Sequence, residues 1–170
     1  MKGVTSYSGL SRTYFLRLLR SLIELGRLER PGLTILDFGC GNGELKRMVK
    51  GKVIGYDVVP ALSDVKDWKS VDFDVLVANE VFYSFTEAEL VKLLKALKKK
   101  NKDLELVVGI SRLGFLNKVG MFLLGRPGAH SEARLEARKE LEILERSCAV
   151  LRHQNVWNLA DVYVLVFRKP

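Results

Sequence analysis

Apolar positions recur along the chain with two rhythms, one of period near 3.6 and one of short unbroken runs. Between residues 10 and 29, Phe15, Leu18, Leu19, Leu22 and Leu25 or Gly26 follow i, i+3, i+4, i+7 spacing, with Arg12, Arg17, Arg20 and Arg27 on the other faces. Ser11 is placed to cap this helix, and Arg30-Pro31-Gly32 stops it. A continuous apolar run over residues 33–38 reads as a buried strand, and residues 44–49 as a helix. Strands are predicted again over 52–57, 73–79 and 104–110. Thr86 and Glu89 form a capping-box signature for a helix whose stripe is Leu90, Leu93, Leu94 and Leu97, ending at Asn101. A further helix is predicted from a Ser131 cap to about Ser147, its stripe being Ala133, Ala137, Leu141, Leu144 and Cys148. Residues 150–156 and 162–167, joined by the short 157–161 connection, read as an antiparallel hairpin. Strands alternating with helices predict an α/β fold, a mostly parallel sheet closed by that terminal hairpin.

At 170 residues the chain is expected to be one domain, 1–170, with a proper core. No apolar stretch is long enough for a transmembrane helix. The N-terminus lacks the apolar region and cleavage site of a secretory signal. Cys40 and Cys148 are too few for a disulfide framework, so a cytoplasmic setting is expected. The net charge of +8 has two readings: a surface that attracts RNA or anionic lipid, or simply solvated basic helix faces. No aromatic-interleaved basic motif accompanies it, so nucleic acid is not the favoured partner. No His/Cys/Asp cluster has metal-ligand spacing, and no metal is expected.

The chemistry concentrates at Asp37-Phe38-Gly39-Cys40-Gly41-Asn42-Gly43, an acid and three alternating glycines at the end of a strand and the start of a helix. Glycines open positive φ and let a ligand approach the main chain. A dinucleotide fingerprint places its glycines differently, and a P-loop needs Gly-Lys-Ser/Thr where this chain has Gly43-Glu44. Asp37 and Glu44 repel a pyrophosphate but suit a cation. The pattern resembles the first motif of the class I S-adenosylmethionine-dependent methyltransferases, small-molecule and lipid-type members in particular. Asp57, ending the next predicted strand 20 residues beyond Asp37, is placed to accept hydrogen bonds from two ribose hydroxyls. The resemblance extends over roughly residues 10–168.

That resemblance implies a Rossmann-like sheet with S-adenosylmethionine as cofactor. Asp37, Gly39, Cys40, Gly41 and Gly43 would hold its methionine part, Asp57 and Val58 its nucleoside, and Asn79 and Glu80 would lie near the sulfonium. Only residues 58–72 separate two strands where the family usually fits a helix and another strand, so the third strand is expected to be short or absent. In that stretch Asp67 and Trp68 are either adenine contacts or a loop acid and a core indole. Residues 79–85 do not match the Asn/Asp-Pro-Pro-Tyr/Phe signature of many nucleic-acid and protein amino methyltransferases. Residues 111–130, apolar between Arg112, Lys118 and Arg126, read either as a substrate-side insert or as a packed cover for the sheet edge. The expected reaction is methyl transfer to a small-molecule or lipid-like acceptor, with peripheral membrane contact left open. An RNA acceptor and a non-catalytic scaffold are the alternatives. Glu80, Tyr83 and His130 are the candidate catalytic groups, none with a defined role, and His153 reads as structural. The acceptor, the need for a base and the oligomeric state are not legible.

Overall fold

The computed structural model describes residues 9–112 and 135–169. Its strands are β1 (Thr34–Phe38), β2 (Lys52–Tyr56), β3 (Val75–Asn79), β4 (Glu105–Ser111), β5 (Cys148–Val156) and β6 (Ala160–Phe167). The helices are α1 (Gly9–Gly26), α2 (Glu44–Met48), α3 (Glu87–Lys100) and α4 (Ala137–Ser147). The strands form one sheet in the order β2-β1-β3-β4-β6-β5. The first four are parallel, while β6 runs antiparallel to β4 and to β5. This is the expected α/β architecture with its terminal hairpin.

Both faces of the sheet are covered, which is why β1, β3 and β4 are apolar almost throughout rather than alternating. On one face α1 and α2 bury Leu18, Leu19, Leu22 and Leu45 against Ile35, Val75, Val77 and Val107. On the other, α3 and α4 bury Leu90, Leu94, Leu97, Ile143 and Leu144 against Leu36, Leu76, Leu106 and Val108. Each such fully buried leucine contributes about 1.5–3 kcal/mol of transfer free energy. The capping box of α3 is formed: Glu89 N donates to Thr86 Oγ1 at 3.3 Å, and Thr86 N to Glu89 Oε2 at 2.8 Å.

Three expectations change. Ser11 falls inside α1 rather than at its cap, because the helix already runs at Gly9. The helix after Gly43 is only a turn and a half, since Val49 turns to extended backbone. In α4 the predicted Leu144 and Cys148 beyond its end are buried and Ala137 and Leu141 pack against the core, but Ile143 joins them and an acid, Glu140, occupies the same face. The Ser131 cap and Ala133 lie outside the described residues.

Between β2 and β3 there is no strand. Two 3₁₀ turns, Pro60–Leu62 and Trp68–Ser70, fill the connection. The outer edge of β2 is satisfied locally: Asp64 N donates to Gly55 O at 2.9 Å, and the Asp64 carboxylate takes Gly55 N at 2.7 Å. A side chain thus completes the ladder where a strand would have paired.

Candidate functional site

Because β1 to β4 are parallel, their C-terminal ends meet at one edge of the sheet, the edge at which open α/β sheets bind ligands. The glycine loop leaves β1 there. Gly39, Gly41 and Gly43 have φ of 81°, 51° and 70°. At Gly39 a Cβ would stand 2.5 Å from Val81 Cγ2, so both its conformation and its packing demand glycine. Gly39 N and Cys40 N both donate to Tyr56 O, at 2.7 and 3.1 Å, binding the loop to the tip of β2. Asp57 completes the joint: its Oδ2 accepts Gly41 N at 3.0 Å and its Oδ1 accepts Val59 N at 2.9 Å. Each oxygen retains a second lone pair for a ligand hydroxyl. The adjacent Val58 is 71% exposed, an uncovered apolar side chain beside a polar anchor.

Asp37 sits beneath this loop and is 5% exposed. No described residue sets a donor against its carboxyl group. Burial first, and then the charges of Asp57 and Asp64, push its pKa up to about 7. The same causes push the half-buried Cys40 thiol up to about 12. Cys40 is therefore protonated at neutral pH, its Sγ lying 3.3 Å from Leu62 O, and it is no nucleophile.

At the tip of β3, Asn79 Oδ1 is shielded from solvent with no donor among the described residues. It lies 2.6 Å from where a Cβ of Gly109 would be, so this glycine makes room for the amide. Glu80 follows in the left-handed region at φ 53°, its amide held by Gly109 O at 2.9 Å. A non-glycine residue there carries backbone strain, which recurs at ligand sites. The Glu80 carboxylate accepts Tyr14 Oη–H at 3.3 Å and the Ser111 hydroxyl. Tyr83 lies on the 3₁₀ turn Phe82–Ser84, its carbonyl accepting Leu135 N at 3.1 Å.

Trp68 takes the second of its two readings: it is 7% exposed, with its ring edge-on to Phe38 and Phe73 inside the core, and offers no open stacking face. Asp67 caps the 3₁₀ turn that begins with Trp68 by accepting Lys69 N at 3.0 Å. His130 and almost all of the 111–130 insert lie outside the described residues. His153 bonds Asp161 through Nε2 at 2.8 Å and stacks on Tyr163 with ring centroids 4.6 Å apart. Asp161 also takes Arg112 and Asn155, and Arg112 heads its causes for a lowered pKa.

Sequence reasoning missed Tyr14, Ser111 and Glu140. Glu140, 2% exposed on α4, has its pKa raised to about 8 by burial and then by the charge of Glu80. One signal was available, an acid spaced three from Ala137 and four from Leu144 on an apolar stripe. Nothing in the sequence linked Tyr14 or Ser111 to Glu80.

No protein-family model matches the chain, and no curated protein sequence matches it. Solved structures do. Magnesium protoporphyrin IX methyltransferase from Synechocystis PCC 6803, with bound S-adenosylhomocysteine, superposes with a TM-score of 0.60 at 16% identity, over 98% of this chain and 90% of that one. The methyltransferase domain of a bacterial Hen1 gives 0.62 at 16% identity, over 90% and 97%. The N,N-8-amino-8-demethyl-D-riboflavin dimethyltransferase of Streptomyces davawensis gives 0.65 at 16% identity; this chain matches it over 91% of its own length and spans about half of the larger protein, 55%. No described helix is long and apolar enough to cross a membrane.

Proposed function

We propose, from a chain with the class I S-adenosylmethionine-dependent methyltransferase fold, that this protein binds S-adenosylmethionine and transfers its methyl group to a small-molecule acceptor. The carrying observation is the joint between the left-handed glycine loop and Asp57, in which Gly41 N is fixed to the carboxylate at 3.0 Å. The residues fit the cofactor. Gly39, Gly41 and Gly43 expose main chain to its methionine end, and space beside Gly43 is open, with no atom within 4 Å of a Cβ built there. Buried Asp37 offers an unshared carboxylate to the amino group, Asp57 binds the ribose hydroxyls, and exposed Val58 covers one face of the adenine. When bound, the cofactor supplies an activated methyl on a sulfonium. The protein then orients the acceptor and excludes water, and positioning alone is worth effective molarities of about 10⁵–10⁸ M.

Thermal unfolding with and without S-adenosylhomocysteine tests this reading. Ligand at about 100 times its dissociation constant adds about 2.7 kcal/mol. For a chain of this size the midpoint rises by roughly 5–10 °C. The shift is expected to vanish in Asp57→Ala, and no shift at saturation in the unaltered protein would overturn the proposal. A second reading, RNA as acceptor, draws on the net charge of +8, the exposed Arg12, Arg17 and Arg20 of α1 and the exposed Arg27 that follows it. It requires RNA binding that weakens steeply with salt.

A further inference from the structure

The acceptor side of the site carries an excess of hydrogen-bond acceptors. The cofactor's amino group is answered by Asp37 and its ribose by Asp57. Glu80, Glu140 and the amide oxygen of Asn79 remain. Tyr14 Oη and Ser111 Oγ both donate to Glu80 Oε1, leaving Oε2 without a donor among the described residues. Asn79 Oδ1 is shielded and has no donor either. Glu140 is the decisive member. It is almost wholly buried on α4, no described residue donates to its side chain, and burial and then the Glu80 charge raise its pKa. The place is fixed by packing, since Leu135 N, just before α4, donates to Tyr83 O, three residues after Glu80.

A buried acid without a partner ionises only at a cost, so one whose helix starts at the turn following Glu80 suits an arriving positive group. The nearby Arg112 does not supply it: its guanidinium is ion-paired with Asp161, Nη2 lying 2.9 Å from Oδ1. Tyr14 connects this acid pair to one more surface. Its ring lies 6.4 Å from that of Trp157, which is 55% exposed and held at φ 53° in the tight turn between β5 and β6. That strained turn is secured by Asn158 N donating to Asn155 Oδ1 at 2.9 Å. An exposed indole separated from the Glu80 carboxylate only by the Tyr14 ring suits a flat ring carrying a cation.

We infer that Glu80 and Glu140 form the acceptor subsite for a protonated amine, with Trp157 as the aromatic wall over which the rest of the acceptor lies. This inference rests on the methyltransferase reading and narrows its substrate class to nitrogen acceptors. Binding of the ammonium beside Glu140 expels the proton that the empty site holds there, and the ionised Glu140 then takes one proton from the ammonium and so frees its lone pair. That pair forms the new N–CH₃ bond as the C–S bond breaks. The electrons of the broken bond stay on sulfur, which becomes a neutral thioether, and the product leaves as the methylated ammonium. Carboxylate and phosphate acceptors find no positive partner in Glu80, Glu140 or Asn79.

The test uses the full chain with S-adenosylhomocysteine bound, cofactor binding being read separately by calorimetry. Benzylamine, benzyl alcohol and benzoate are then titrated while tryptophan fluorescence is followed, with Trp157→Phe identifying the indole that responds. Benzylamine is expected to bind about tenfold more tightly than either isostere. Glu140→Gln, nearly isosteric, is expected to abolish that preference while leaving S-adenosylhomocysteine affinity within about threefold. Equal or tighter binding of the alcohol or the acid overturns the inference. So does absence of benzylamine binding up to about 10 mM, or a Glu140→Gln protein that keeps the preference. Failure of S-adenosylhomocysteine to bind the unaltered protein is a separate result, and it removes the methyltransferase reading itself.

Discussion

At Asp37 the fold holds a carboxyl group in a place where ionisation is costly, and this has a sign that can be measured. An unfolded aspartate ionises near 3.9 and the folded one at about 7, so between those values the folded protein binds the extra proton. The stability this proton represents is complete below about pH 4 and is lost as pH rises through 7. Glu140 adds the same trend up to about 8. Asp64 and Asp161, whose pKa values are lowered, act only in the acid range and do not offset it. The urea midpoint of the ligand-free protein is therefore expected to fall between about pH 5.5 and about pH 8.5. Asp37→Asn should flatten part of that slope, and a midpoint that rises would contradict the assignment. Affinity for S-adenosylhomocysteine should move the opposite way, increasing through pH 7 as Asp37 becomes the anion that an amino group needs. Calorimetry in two buffers of different ionisation enthalpy would show the released proton.

Among the elements, α3 shows local and tertiary signals in agreement. Its cap, stripe and stop were all legible because each depends on residues within four of one another. Thr86→Ala removes the Oγ1 acceptor of Glu89 N, leaving the backbone bond from residue 86 N to Glu89 Oε2, and is expected to cost about 1 kcal/mol. The melting midpoint should fall by about 2–4 °C, with cofactor binding unchanged. In α4, by contrast, the stripe faces the core but the buried acid on it, Glu140, is not part of the predicted pattern. Helical periodicity says which residues share a face, but α4 is short, and its covered face is set by where Tyr83 and the Phe82–Ser84 turn lie. The missing strand after β2 was anticipated from chain length alone, since fifteen residues cannot hold both a helix and a strand. How Asp64 closes the exposed edge was not.

For the whole molecule the notable arrangement is one of charge. A chain of net charge +8 gathers Asp37, Asp57, Glu80 and Glu140 at the C-terminal edge of its sheet. Lysines and arginines occupy exposed positions of α1 and α3. A cationic ligand is thus directed to one end. The sheet also grades stability across the molecule. The amides of Leu76, Val77 and Val107, paired on both sides and covered on both faces, are expected to exchange most slowly with solvent. Residues 58–72, held by short turns and side-chain bonds, should exchange fastest among the described residues. Added S-adenosylhomocysteine is expected to slow residues 39–43 and 57–65 selectively; uniform slowing would point to binding elsewhere.

The sequence by itself determined what short range controls: the strand runs, the cap of α3, the need for glycine at 39, 41 and 43, and through that loop and Asp57 the class of fold. Those features are local because backbone conformation and one-sided burial leave a periodic trace. Only the tertiary structure decided which distant groups share a pocket. Tyr14, Glu80 and Ser111 come from three separate segments, and nothing in their spacing predicts their meeting. Trp68 had equal sequence support as core or contact until Phe38 and Phe73 enclosed it. Long-range packing fixes burial, and burial decides whether an acid is an ordinary surface charge or a group that waits for a partner.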